Sequence, residues 1–169
     1  MTIDLFASDE QDHVAMDLER WSSLAQAALR EEGVRGAVEV SLIFSDEATI
    51  ADLNERFMGK TGPTDVLSFP IDDEPLFTGR FPDAGGTGPG EQLVPEIPQL
   101  VGDIVICPAV AERNALDHEV SFDDEVALLV VHGVLHLLGW DHMEDNEAER
   151  MEAREQEILN RHYRLRIVK

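Results

Sequence analysis

His132, His136 and His142 fall in the run HGVLHLLGWDH, and their type and spacing suit one metal ion. The first two are four residues apart, so on a helix both imidazoles leave one face about one turn apart, as two ligands of one ion require. Gly139 lacks a Cβ and allows a sharp reversal, after which WDH brings His142 back toward the pair. Three neutral imidazoles in a tetrahedral shell leave one position for water, the property that separates catalytic from structural zinc. Hydrogen-bonded core histidines are the competing explanation. Three rings clustered around an apolar helix are hard to satisfy that way, because each buried imidazole needs a partner. Zinc is the leading ion, and nickel, copper or iron suit the same ligands.

The spacing H-x-x-x-H-x-x-G-x-x-H also belongs to the metzincin peptidases, whose general-base glutamate directly follows the first histidine. Here that position is Gly133, which has no side chain, so peptide hydrolysis lacks its defining base. Asp141 and Glu144 are the nearby acids that could replace it. Asp141 is read as a partner that orients a ligating histidine from behind.

A histidine pair needs a helix to present it. The stretch EVALLVVHGVLHLLG is apolar nearly all round and so belongs inside the protein; Ser121 caps it, Asp123, Asp124 and Glu125 suit its N-terminus, and Gly139 closes it. Around it the chain reads as alternating strands and helices. TIDLF forms a short strand, and Leu18, Trp21, Leu24, Ala25, Ala28 and Leu29 recur at helical spacing until Gly33 and Gly36. Val38, Val40, Leu42 and Phe44 alternate as a strand, and Ser45 or Asp46 caps a helix to about Phe57. Asp65 to Ile71 and Asp103 to Cys107 are the third and fourth strands, with Val66, Leu67 and Phe69 read as the apolar content of a central strand. Thr64, Asp65 and Ser68 are polar residues able to line a groove, and Asp103 reads as a strand-end or turn residue. Helices follow over Pro108 to Asp117 and over about Asn146 to His162, giving four strands and five helices in a single α+β domain over residues 1–169.

Residues Asp72 to Gln99 hold five of the eight prolines and five of the twelve glycines, the composition of a long flexible loop inside one domain. The net charge of −22 comes from 35 acidic against 13 basic residues and repels polyanions at long range, which counts against a protein that merely coats nucleic acid. Arg161, Arg164, Arg166 and Lys169 crowd the last nine positions, so the field need not be uniform. The single cysteine, Cys107, excludes an internal disulfide, fits a reducing compartment and reads as a small buried hydrophobe. Neither a secretory signal nor a membrane span is apparent, so the expectation is a soluble cytoplasmic protein.

The run from His132 to His142 matches H-G-x-L-H-L-x-G-x-D-H, and with it the chain resembles the YbeY family of bacterial endoribonucleases, also called rRNA maturation factors. Two further blocks agree, LNERFMGKTGPTDVLSFP from Leu53 to Pro70 and VGDIVICPAVAERNA from Val101 to Ala115. The resemblance implies a small mixed sheet and one zinc bound by His132, His136 and His142. It also implies cleavage of single-stranded RNA, in 16S rRNA 3′-end maturation and ribosome quality control. The expected partners are then the 16S rRNA precursor and the small ribosomal subunit or its assembly factors. Family members often carry an arginine just before the Gly-Lys pair of the first block, where this chain has Met58. Arg56 and Lys60 are the neighbouring cations that could contact the substrate instead. The sequence leaves the general base unassigned, and either water or the RNA 2′-hydroxyl remains the nucleophile.

Overall fold

A computed structural model of the chain describes residues 3–34, 38–70, 99–140 and 145–164. The alternation over Val38 to Phe44 sends Val38, Val40, Leu42 and Phe44 to one side of a strand, and all four are buried. This strand, β2 (Val38–Ser45), lies inside a four-stranded sheet with β1 (Ile3–Glu10), β3 (Val66–Pro70) and β4 (Gln99–Ile106). The order is β1-β2-β4-β3; β1 and β4 run parallel to β2, and β3 runs antiparallel to β4. The helices are α1 (Leu18–Glu31), α2 (Glu47–Leu53), α3 (Pro108–His118), α4 (Phe122–Leu137) and α5 (Asp145–Leu159), with π-helical turns at Asn54–Met58 and Asn160–Arg164. The mixed sheet and five helices are the expected α+β architecture.

One face of the sheet carries the larger core. Val40, Leu42, Phe44, Ile104 and Ile106 pack there with Trp21, Leu24 and Leu29 of α1 and with Val130, Val134 and Leu135 of α4. As its composition requires, α4 is central, touching α1, α3, α5, β3 and β4. Its N-terminus is capped by Ser121, whose side chain accepts from the Asp124 amide, and three acids occupy its first turn. The opposite face holds a smaller cluster of Ile50, Leu67, Val105, Cys107 and Ala109, against which Ile43, Leu53 and Phe69 pack. Cys107 is fully buried, as read, and burial pushes its thiol above its ordinary pKa.

Several boundaries and placements differ from the sequence reading. β3 is an edge strand and not a central one. Pro70, which has no N–H to give a second neighbour, fits that position. β4 opens at Gln99, so Asp103 lies within the strand opposite Phe69 and not at its end. The pairing of β2 with β4 shifts register between Glu39 and Val40, a bulge that breaks the alternation before Asp103. The helix expected to reach about Phe57 is α-helical only to Leu53 and continues to Met58 as a π turn. There the buried Asn54 donates through Nδ2 to the Gly62 carbonyl at 2.9 Å while its own carbonyl accepts from the Lys60 amide. Most of the proline- and glycine-rich stretch, residues 72–98, lies outside the described residues. Gln99, its last residue, belongs to β4.

Candidate metal centre

The two helical histidines meet as the spacing predicts. On α4 the rings of His132 and His136 stand 4.6 Å apart between centroids, edge to face at 74°. Behind His132 stands a residue that the sequence reading did not single out. Glu155 of α5 places Oε2 2.5 Å from His132 Nδ1. Its side chain is only 6% exposed, against 27% for His132, so the contact lies on the protein side of the ring. Glu155 looks like one of many surface acids on a charged helix. The available signal was its spacing, since Met151, Glu155, Ile158 and Leu159 form one buried stripe.

Gly133 follows His132 and faces the sheet. A Cβ at this position would stand 2.7 Å from Ile104 Cγ2, with Ser68 Oγ and Val66 Cγ2 at 3.5 Å. The Gly133 carbonyl accepts a hydrogen bond from Ser68 Oγ at 2.9 Å. The missing side chain therefore lets α4 pack against β3 and β4, and there is no space there for a glutamate of the peptidase kind. Past the helix, Gly139 takes φ +101, the left-handed region that a turn after a helix uses. Trp140 then donates from Nε1 to Glu32 Oε1 at 2.9 Å. Arg154 holds Glu32 from the other side through Nε and also donates to the Glu31 carbonyl at 3.0 Å. The chain leading toward His142 is thus anchored to the end of α1, and α1 to α5.

His142, Asp141 and Glu144 lie outside the described residues. Among the described residues no three His, Cys, Asp or Glu side chains come together as a complete ligand set. The donors that are described nevertheless suit a metal ion. Two imidazoles share one helix face, and one of them hands its Nδ1 to a buried carboxylate, the arrangement that ligating histidines commonly adopt.

A family model described as endoribonuclease YbeY matches residues 6–163. The chain belongs to the endoribonuclease YbeY family. A protein named endoribonuclease YbeY from Mycolicibacterium gilvum is 43% identical over 137 residues, spanning 81% of this chain and 71% of its own length. One of the same name from Salinispora tropica is 42% identical over 145 residues, spanning 85% and 87%. The solution structure of a Thermotoga maritima protein superposes with a TM-score of 0.54 at 26% identity, over 95% of this chain and 91% of that one.

Met58 lies between Arg56 and Lys60, the two cations weighed for substrate contact. Phe57 packs edge-on against Phe69 of β3, with ring centroids 5.5 Å apart, and Phe57 and Met58 are both exposed. Arg56 is engaged with Asp52 at 3.2 Å and lies 5.4 Å from the Phe57 ring centre. Lys60 is exposed and makes no ion pair among the described residues. Neither cation is brought into contact with His132 or His136; their segment docks through Phe57 onto β3, the strand that Ser68 ties to α4. The other residues weighed for a groove are occupied. Asp65 accepts from Asn114 Nδ2 at 3.1 Å and offers its carbonyl to the Cys107 amide, which fastens β3 to the start of α3. Arg161, from the basic C-terminal cluster, is paired with Glu31.

Proposed function

We propose that this protein is an endoribonuclease that cleaves single-stranded RNA with one zinc ion held by His132, His136 and His142. The observation that carries the reading is the His132–His136 pair on a buried helix, in a chain of the endoribonuclease YbeY family. Zinc held there supplies Lewis acidity toward a phosphate oxygen and brings the pKa of water toward ~7. The protein's own side chains hold and orient. His132 and His136 offer two imidazoles from one rigid helix, Glu155 accepts at the Nδ1 of the first, and the Trp140–Glu32 contact steadies the chain that leads to His142. Asp141, beside His142 in sequence, is assigned to orienting a ligating ring. Lys60 offers a cation to the RNA backbone, with Arg56 in second place because Asp52 already holds it.

The proposed setting is 16S rRNA 3′-end maturation and ribosome quality control in a reducing cytoplasm, on the small subunit or with its assembly factors. No helix of the described residues is long and apolar enough to cross a membrane. The net charge of −22 motivates a second reading, in which the protein chiefly binds basic ribosomal or assembly proteins and the metal serves the fold.

A cleavage assay with zinc-loaded protein on single-stranded and duplex RNA, comparing wild type with His136→Ala, separates the two. Cleavage of the single strand by wild type, lost in a still-folded His136→Ala, is the expected result. Undiminished cleavage by His136→Ala sinks the zinc enzyme, and loss of folding without zinc favours the structural metal. A 2′,3′-cyclic phosphate at the product end would assign the attack to the RNA 2′-hydroxyl instead of water.

A further inference from the structure

α5 places an acid where its buried face calls for a hydrocarbon. Met151, Ile158 and Leu159 are buried along one side of the helix, and Glu155 among them is 4% exposed. A carboxylate in such a stripe is unfavourable unless a partner compensates it, and the partner is His132 Nδ1, reached across 23 residues of chain. The helix is not free to slide away from this contact. Arg154, next in sequence, binds Glu32 and the Glu31 carbonyl at the end of α1. An imidazole whose Nδ1–H is committed to a carboxylate presents the lone pair of Nε2 on the other side of the ring. That is the atom through which His132 would bond an ion shared with His136.

We propose that Glu155 is a positioning residue of the metal centre. It keeps the proton of His132 on Nδ1 and sets the ring's angle, so that Nε2 is presented to the ion before the ion arrives. This rests on the reading that His132 and His136 hold zinc. It goes beyond that reading by making metal affinity depend on a residue of α5 that bonds no metal. A purely structural role predicts something different, because a hydrocarbon at position 155 would complete the apolar stripe and leave the histidines unaffected.

The test uses the full chain as Glu155→Leu and Glu155→Gln. Zinc affinity is measured by competition with a chromophoric chelator, circular dichroism monitors the fold, and 15N NMR of the metal-free protein reports the His132 tautomer. The expected result is a fall in zinc affinity of about 10–100-fold for Leu and a smaller fall for Gln, which keeps an acceptor but not the charge. The Nδ1–H tautomer of His132 is expected in wild type and lost in Glu155→Leu. Affinity within about twofold of wild type in both variants overturns the proposal while leaving the zinc reading intact. Should the Leu variant fail to fold, the Gln variant decides by the same criterion. A wild-type chain that binds no zinc overturns the metal reading itself, and this inference with it.

Discussion

Ser68 Oγ donates to the Gly133 carbonyl at 2.9 Å, tying the edge strand β3 to the middle of the helix that carries His132 and His136. The contact requires a glycine, because any Cβ at position 133 runs into β4. The histidine pair therefore stands on a helix pressed against the sheet, and the residue between sheet and site has to be the smallest one.

Gly133→Ala tests that closeness. Alanine improves the helix intrinsically by about 1 kcal/mol, whereas overpacking a filled core costs about 1–3 kcal/mol. The new methyl would meet Ile104 Cγ2, part of a short, buried, β-branched side chain that cannot swing aside. A net loss of up to about 2 kcal/mol is expected in urea unfolding, with none of the helix-propensity gain realised. A variant more stable than wild type by about 1 kcal/mol would mean that α4 lies farther from β4.

The His118–Glu125 pair gives a pH signature. Glu125 is buried on α4, His118 is exposed at the end of α3, and the two are 2.9 Å apart. Hydrogen bonding to the Glu125 carboxyl raises the His118 pKa above its ordinary 6.5. A folded-state pKa above the unfolded one gives stability that is fully present below the unfolded pKa and is lost as pH rises through the folded value. His118→Gln should therefore lower the urea midpoint relative to wild type most clearly near pH 5.5, with the gap narrowing toward about pH 9. A gap that stays constant or widens with pH would contradict the pairing.

The two cations flanking Met58 should behave differently on RNA. Lys60 has no ion pair among the described residues, while Arg56 is shared with Asp52 and the Phe57 ring. If Lys60 meets a phosphate, Lys60→Ala weakens single-stranded RNA binding and flattens the plot of log affinity against log salt by about 0.7. Arg56→Ala should change the slope less. An unchanged slope in Lys60→Ala would remove that residue from the RNA path.

Much of this was legible in the sequence, for physical reasons. α4 could be read from its unbroken apolar character and its Ser121 cap, and α1 from the spacing of Trp21, Leu24, Ala28 and Leu29, all of which are buried. Local patterns report which face of an element is buried, but not which neighbour buries it. VLSF reads as an interior strand on hydrophobicity alone, although it lies at the edge with α4 on one face and Phe57 on the other. Only Pro70 hinted at this. β4 began earlier than read because a bulge disturbed its alternation. Glu155 was the main omission at the site. Its spacing with Met151, Ile158 and Leu159 marks it as buried, but its role depends on α5 folding back against α4, a tertiary contact that local spacing does not encode.

The most direct measurement is zinc bound per chain, by native mass spectrometry and chelator competition, for wild type, His132→Ala, His136→Ala and His142→Ala. One tightly held zinc in wild type, and a comparable loss of affinity on removing any of the three histidines, is the predicted result. A wild-type chain that takes up no zinc, or a His142→Ala variant that binds as tightly as wild type, would contradict a three-histidine centre.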